Sequence, residues 1–314
     1  MNRADAASGL RHEAFFYSGD EALLSAVTSF VEEGIARSES TLVALSQPKL
    51  AGLTRRLGSQ NSTVSFVDMG QMGANPGLII SVWQDFVVKH RPGGPGLRGI
   101  GEPITHQRTG AGLVESHHHE SMLNLAFKDV DRFSLLCPYD LNALTSDVIE
   151  RAGTTHPYLN REGVSSASQT FEFSHLSDSV LADPLSEVPS TAQLFEFTKA
   201  ELGAMRSWLS IRALETGLAV ARAQDLILAA HEVASNSVIH GGGGGRLQVW
   251  IDDSSLICQI TDHGSISDPL LGRLPPASER ASGRGLWLAN NLCDLVQIRS
   301  ANGETMIRLH KSVP

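Results

Sequence analysis

Three cysteines in 314 residues, Cys137, Cys258 and Cys293, are too few and too scattered for a disulfide framework or a CxxC zinc site, and they fit a reducing cytoplasm. No uncharged apolar run reaches the roughly 18 residues of a membrane-spanning helix. The opening MNRADAASGLRHEAFF lacks a basic segment followed by an apolar one, so no signal peptide is expected and the expected location is cytoplasmic. Lys and Arg form no cluster: 25 basic residues face 34 acidic ones, a formal net charge of −9. With no helix-turn-helix pattern either, direct nucleic-acid binding is disfavoured, while protein partners remain open. Internal repeats are absent. What is present, 41% hydrophobic and 19% charged residues, suits two globular domains with real cores.

The first half alternates strand-like and helix-like segments. Asp20–Arg37 carries Leu23, Leu24, Val27, Phe30, Val31 and Ile35 on one helical face. TLVALS (41–46), STVSFVDM and FSLLCPYD (133–140) read as strands, with helices over PKLAGLTRRLG, LIISVWQDFVVKH and 111–127 between them. This order predicts a parallel sheet covered on both faces. Residues 161–190 are rich in Ser, Asp, Glu and Pro and read as a linker with a little local structure. From 191 the pattern changes. Helices are expected over Leu194–Leu214 and Arg222–Ile239, then the strand pair RLQVWID and SLICQITD. A Pro-containing loop, a helix over LWLANNLC and two strands around the turn Asn302-Gly303 complete the chain. The boundaries are therefore 10–160, a linker 161–190, and 191–314, the last an α/β sandwich with helices on one face.

LAAHEVASNSVIHGGGGG (228–245) holds the first chemical signal. Glu232 and Asn236 lie four residues apart and share a helix face, with His240 extending the row and Leu228, Val233 and Ile239 free to face the core. An amide oxygen can ligate a hard cation, and a carboxylate can orient or deprotonate a nucleophile. The pair alone is commonplace and reads as a solvated face. Two further motifs change that. SLICQITD ends in Asp262-His263-Gly264, an acid released from an apolar strand into a glycine turn. SGRGLWL sets Gly283 and Gly285 at a helix start, where backbone N–H groups and the helix dipole favour phosphate.

In this order the three motifs resemble the N, G1 and G2 boxes of the GHKL (Bergerat-fold) ATPases, and HEVASNSVIHG is similar to the anti-sigma-factor serine kinases. The resemblance spans about 190–312. It implies that Glu232 is the general base, that Asn236 ligates Mg2+, and that Asp262 accepts a hydrogen bond from the adenine amino group. It further implies that Gly264 admits the base and that Gly283 and Gly285, with Arg284 between them, cradle the phosphates of ATP. The pattern departs at Ile266, which stands where a second glycine is usual, so the loop is less free to close. No dimerisation helix with a phosphoacceptor histidine precedes the domain, and His231 reads as a packing or helix-surface residue. The five glycines 241–245 are expected to end the helix and lead loosely into the next strand, without chemistry.

The first half, through HEAFFYSGDEALL, RGIGEP, LCPYD and THPYL, resembles the MEDS sensory domain, which implies a RecA-like architecture and signal input by a small molecule or redox change. FFYSGDEAL contains no GxxxxGK[ST], so ATP binding by this half is unsupported. The run SHHHES (116–121) invites a metal reading. Consecutive histidines on a helix point in different directions, so His117, His118 and His119 cannot all meet one ion, and Glu115 with His119 is too small a set. A polar helical surface is the expectation, and Cys137 is expected to be buried and inert. Together the resemblances imply an anti-sigma factor and serine kinase acting with ATP and Mg2+ on a STAS-domain antagonist or an alternative sigma factor, with a homodimer implied by close relatives. The rival from another class is a non-catalytic, nucleotide-gated binding module. An ATP-hydrolysing GHKL machine is disfavoured by the lack of a transducer domain.

Overall fold

The computed structural model describes residues 9–72, 75–91, 94–252, 254–276 and 284–314, and the chain divides into two compact units, Met1–Leu176 and Ser177–Pro314. The first contains β1 (Leu10–Tyr17), α1 (Asp20–Ala36), β2 (Ser40–Leu45), α2 (Gln47–Leu57), β3 (Val64–Asp68) and α3 (Met69–Met72). It continues with α4 (Ile79–His90), β4 (Leu97–Gly101), α5 (Gly110–Ala126), β5 (Phe133–Asp140), α6 (Ser146–Thr155), β6 (Tyr158–Arg161) and β7 (Val164–Ala167). The seven strands lie in the order β3-β2-β4-β5-β1-β6-β7. All neighbours pair in parallel except β6 and β7. The expected mainly parallel α/β sheet is thus found. Its central strands are apolar on both faces because helices cover both, and Val27, Val31, Val43, Leu45, Leu53 and Ile100 are fully buried. Each such side chain contributes roughly 1.5–3 kcal/mol through removal from water.

Helix α5 overturns the expected polar surface. Glu115, Ser116, His117, His118, His119 and Glu120 are each at most 3% exposed, because α5 is packed by α4 and α6 within the unit. Cys137 is buried as expected. No helix among the described residues is long and apolar enough to cross a membrane.

The second unit begins within α7 (Leu176–Ala182). It contains β8 (Gln193–Thr198), α8 (Leu202–Glu215), α9 (Val220–His240), β9 (Gly244–Asp252), β10 (Ser255–Asp262), α10 (Arg284–Leu292), β11 (Leu295–Ala301) and β12 (Glu304–Ser312). An antiparallel sheet in the order β11-β12-β10-β9-β8 packs one face on the helices through Leu226, Val233, Leu247, Cys258, Ile260, Ile298 and Leu309. Gln259, Arg299 and Arg308 alternate onto the other face, as a half-covered sheet requires. There Arg299 Nε donates to the Asp183 carbonyl at 2.6 Å and Arg308 Nη1 to Ser186 Oγ at 2.7 Å, so part of the segment read as linker is fixed to the sheet. The Asn302-Gly303 turn has φ of 56° and 80°, the left-handed pair that joins tight hairpins.

Two local expectations fail. The helix expected over Leu194–Leu214 is strand β8 followed by α8. Leu194 and Phe197 fit a helical spacing while Phe195 and Phe197 fit a strand's, and pairing with β9 decides for strand. The break falls at Thr198-Lys199-Ala200-Glu201, where the Thr198 N–H donates to Glu201 Oε2 at 2.9 Å and the Ala200 N–H to Thr198 Oγ1 at 3.3 Å, a capping-box arrangement. On α9, Val233 faces the core as expected, whereas Leu228 and Ile239 are 44% and 69% exposed; the buried face is Ala223, Leu226, Ala229, Ala230, Val233, Ala234 and Ser237.

Burial, with Arg151 adding repulsion, lowers His117 from 6.5 to about 4. The folded chain therefore keeps this imidazole neutral, while the unfolded chain takes up a proton below about 6.5. The stability tied to the neutral form is present above that pH and is lost as pH falls toward 4, to the extent of about 3 kcal/mol at most. Denaturant unfolding measured between pH 7 and 4 should show this loss, and His117→Gln should flatten it.

Candidate functional site

Helix α9 displays Glu232 and Asn236 one turn apart, both half-buried, on the side where α10 crosses it. The approach is close because α10 begins with glycine. A Cβ on Gly285 would stand 3.1 Å from Asn236 Nδ2 and 3.1 Å from Glu232 Oε2, so any side chain there would press on both groups. The first turn of α10 thus lies beside a carboxylate and an amide, an arrangement suited to a hydrated cation and phosphate oxygens.

Asp262, at the end of β10, is 8% exposed and is fixed on both oxygens. Ser237 Oγ donates to Oδ2 at 2.5 Å and the Gly264 N–H to Oδ1 at 2.7 Å. Gly241 makes room for it, since a Cβ there would fall 2.4 Å from Asp262 Cγ. Asp262 borders a cavity of about 280 Å³ that also involves Val233, Asn236, Gly264, Ile266, Leu286, Thr305 and Ile307. That is the small end of ligand-pocket volumes. Apolar walls with a carboxylate at one end suit a flat heterocycle bearing an amino donor.

Five of the residues singled out in the sequence, Glu232, Asn236, Asp262, Gly264 and Gly285, are brought together by α9, β10 and α10. Arg284 opens α10 and is exposed; Gly283 lies outside the described residues. Ile266, the departure from the glycine pattern, has its N–H bound to Ser300 Oγ at 2.8 Å and packs against the core, so this stretch of loop is anchored.

Sequence reasoning missed three contributors. Ser237 orients Asp262, and its signal was present one residue beyond Asn236. Thr305 donates to the Gly264 carbonyl at 3.0 Å, a contact made only by strand pairing. The glycine run is not loose: besides Gly241, a Cβ on Gly244 would meet the Phe197 carbonyl at 2.3 Å and one on Gly245 the Thr261 carbonyl at 2.7 Å. These glycines allow β9 to start hard against β8 and β10.

Residues 11–157 match the MEDS family, described as the methanogen/methylotroph DcmR sensory domain. Residues 195–311 match the histidine kinase-like ATPase domain. No curated protein matches the chain. Similar solved structures include the RsbU and RsbW domains of Rv1364c from Mycobacterium tuberculosis, at 18% identity and TM-score 0.31, covering 40% of this chain and 34% of that one. Another is the Acinetobacter baumannii histidine kinase AdeS, at 11% identity and TM-score 0.23, covering 67% of this chain and 98% of that one. The chain spans about a third of the Mycobacterium structure, and both overlays are too loose to carry functional weight.

Gly241→Ala should force Asp262 off its two donors. Overpacking of this kind costs about 1–3 kcal/mol, which thermal unfolding should show.

Proposed function

Because the chain carries a MEDS domain followed by a histidine kinase-like ATPase domain, we propose that it is a signal-responsive anti-sigma factor and serine kinase whose second domain binds ATP with Mg2+. The single observation that carries this reading is the meeting of Glu232, Asn236 and Gly285 within 3.1 Å of a would-be side chain, beside a cavity bordered by Asp262. Asp262 would accept from the adenine amino group, and the walls formed by Val233, Leu286 and Ile307 would hold the ring. Asn236 would ligate Mg2+ through its amide oxygen, the ion supplying neutralisation of phosphate charge. Gly285, with Gly283 and Arg284, would line the phosphate path.

In the transfer step Glu232 would accept the proton of a serine hydroxyl on a STAS-domain antagonist. The serine oxygen bonds to the γ-phosphorus as the bond to the bridging β–γ oxygen breaks, leaving ADP. Positioning and charge neutralisation do most of the work in such transfers. The new phosphoserine would carry about −1.5 to −2 charge, enough to disrupt docking on an acidic chain. Partner exchange between this antagonist and an alternative sigma factor would then set transcription. The first domain would supply the signal, the protein acting as a dimer in the cytoplasm.

One observation favours a second reading. Ile266 is tied to Ser300 and to the core, which limits loop closure and fits a nucleotide-gated binding module without transfer. The full-length chain incubated with γ-labelled ATP, Mg2+ and purified STAS-domain proteins separates the two. The kinase reading expects label on a serine of one of them, abolished by Glu232→Ala while ATP binding persists. Nucleotide-dependent complex formation without label would replace it with the binding-module reading.

A further inference from the structure

Helix α5 contributes to a buried polar cluster in the first unit that the nucleotide site does not use. His12 on β1, Glu120 on α5, Cys137 on β5 and His156 at the C-terminal cap of α6 each offer a ligand atom, all within 4.8 Å of one another. None of the four residues is more than 1% exposed. Parallel pairing puts His12 opposite Leu135, so Cys137, two residues on, shares its face of the sheet.

Hydrogen bonds orient the two imidazoles. Asn124 Nδ2 donates to the carbonyls of Glu120, Ser121 and Thr155 at 3.1, 3.3 and 2.8 Å. Its Oδ1 is therefore the atom 3.1 Å from His12 Nδ1, and that nitrogen carries a proton. His156 Nδ1 lies 2.9 Å from Thr155 Oγ1 and 3.0 Å from the Ala152 carbonyl, so this nitrogen faces outward. Nε2 of both rings thus faces inward, at 3.0 and 3.3 Å from the same oxygen, Glu120 Oε2. Cys137 Sγ stands 3.3 Å from His12 Nε2 and 3.4 Å from that oxygen. Glu120 Oε1, equally buried, has no hydrogen-bond partner. Two imidazole nitrogens, a carboxylate and a thiol converge on one point away from water, and a buried carboxylate oxygen left unpartnered is costly.

A divalent cation reconciles them. Two neutral histidines, one carboxylate and one thiolate sum to −2, which a 2+ ion cancels. Metal–ligand lengths of about 2.0–2.3 Å place tetrahedral ligands about 3.3–3.8 Å apart, against 3.0–3.4 Å for the four pairs that include Glu120 or join His12 to Cys137 and at most 4.8 Å for all. Each histidine also donates its other nitrogen to an outer acceptor, as metal-bound imidazoles do. We propose that His12, Glu120, Cys137 and His156 form a closed four-ligand site for a divalent transition-metal cation of the Zn2+ type, joining β1, α5, β5 and α6. Nitrogen and sulfur donors select such an ion over Mg2+ or Ca2+. The triple-histidine run is not the ligand set; its neighbour Glu120 is.

Co2+ titrated into the chelator-treated full-length chain is the probe. One equivalent should give visible tetrahedral d–d absorption and a near-ultraviolet thiolate-to-metal band, both displaced by Zn2+. Cys137→Ser should abolish the thiolate band, and Glu120→Gln should weaken Co2+ binding about 10-fold or more. His117→Gln should leave the spectrum unchanged. Should Cys137→Ser not fold by circular dichroism, a Cys258→Ala/Cys293→Ala variant, with Cys137 its one cysteine, must keep the band. A folded wild-type chain without a thiolate band, or a band that survives in Cys137→Ser, overturns the site and leaves a buried histidine–glutamate ion pair. The nucleotide site plays no part in this readout.

Discussion

The closeness of α10 to α9 is the constraint on which the second unit depends. Gly285 has no side chain, and for that reason Glu232 and Asn236 lie at the mouth of a helix instead of on an open surface. The same economy of space recurs at Gly241, where the end of α9 comes near enough for Ser237 to hold Asp262. A carboxylate that is nearly buried, doubly hydrogen-bonded and still bordering an apolar cavity is a rigid acceptor. Apolar walls around one oriented polar group are the usual make-up of a small-molecule pocket.

The grouping of the candidate site residues was legible because each of their motifs is local. E-x-x-x-N needs only helical spacing, D-x-G only the end of a strand, and the G-x-G glycines only a helix start; the fold assembles three short elements whose sequences already announce them. Contacts formed by sheet pairing were not legible. Thr305 reaches the Gly264 carbonyl because β12 lies beside β10. Strand β8 escaped because Leu194, Phe195 and Phe197 satisfy a helical period over so short a run, and only β9 at its edge settles the matter. Had Thr198 and Glu201 been read as a capping box, the break would have been found.

Burial was the other blind spot. A run such as SHHHES reads as solvated on composition, yet α5 is enclosed and its histidines are interior groups. His12, Cys137 and His156 each sat within short motifs of the first half, HEAFF, LCPYD and THPYL, and Glu120 within the histidine run. No spacing rule links residues so far apart in the chain. The parallel order of β5 and β1 with α5 laid over them does so. In both units, then, the polar chemistry sits where an apolar scaffold has fixed donors and acceptors before any ligand arrives, which is how sites gain precision.

The central claim is that α9, β10 and α10 form an ATP–Mg2+ site with Asn236 at the metal. Isothermal titration of ATP into the full-length chain, with and without Mg2+, on wild type and Asn236→Ala, tests it most directly. The account expects Mg2+-dependent binding by the wild type and at least about 10-fold weaker binding by the variant, the size of effect that losing about 1.4 kcal/mol produces. Unchanged Mg2+-dependent affinity in Asn236→Ala, or no ATP binding by the wild type, would contradict it.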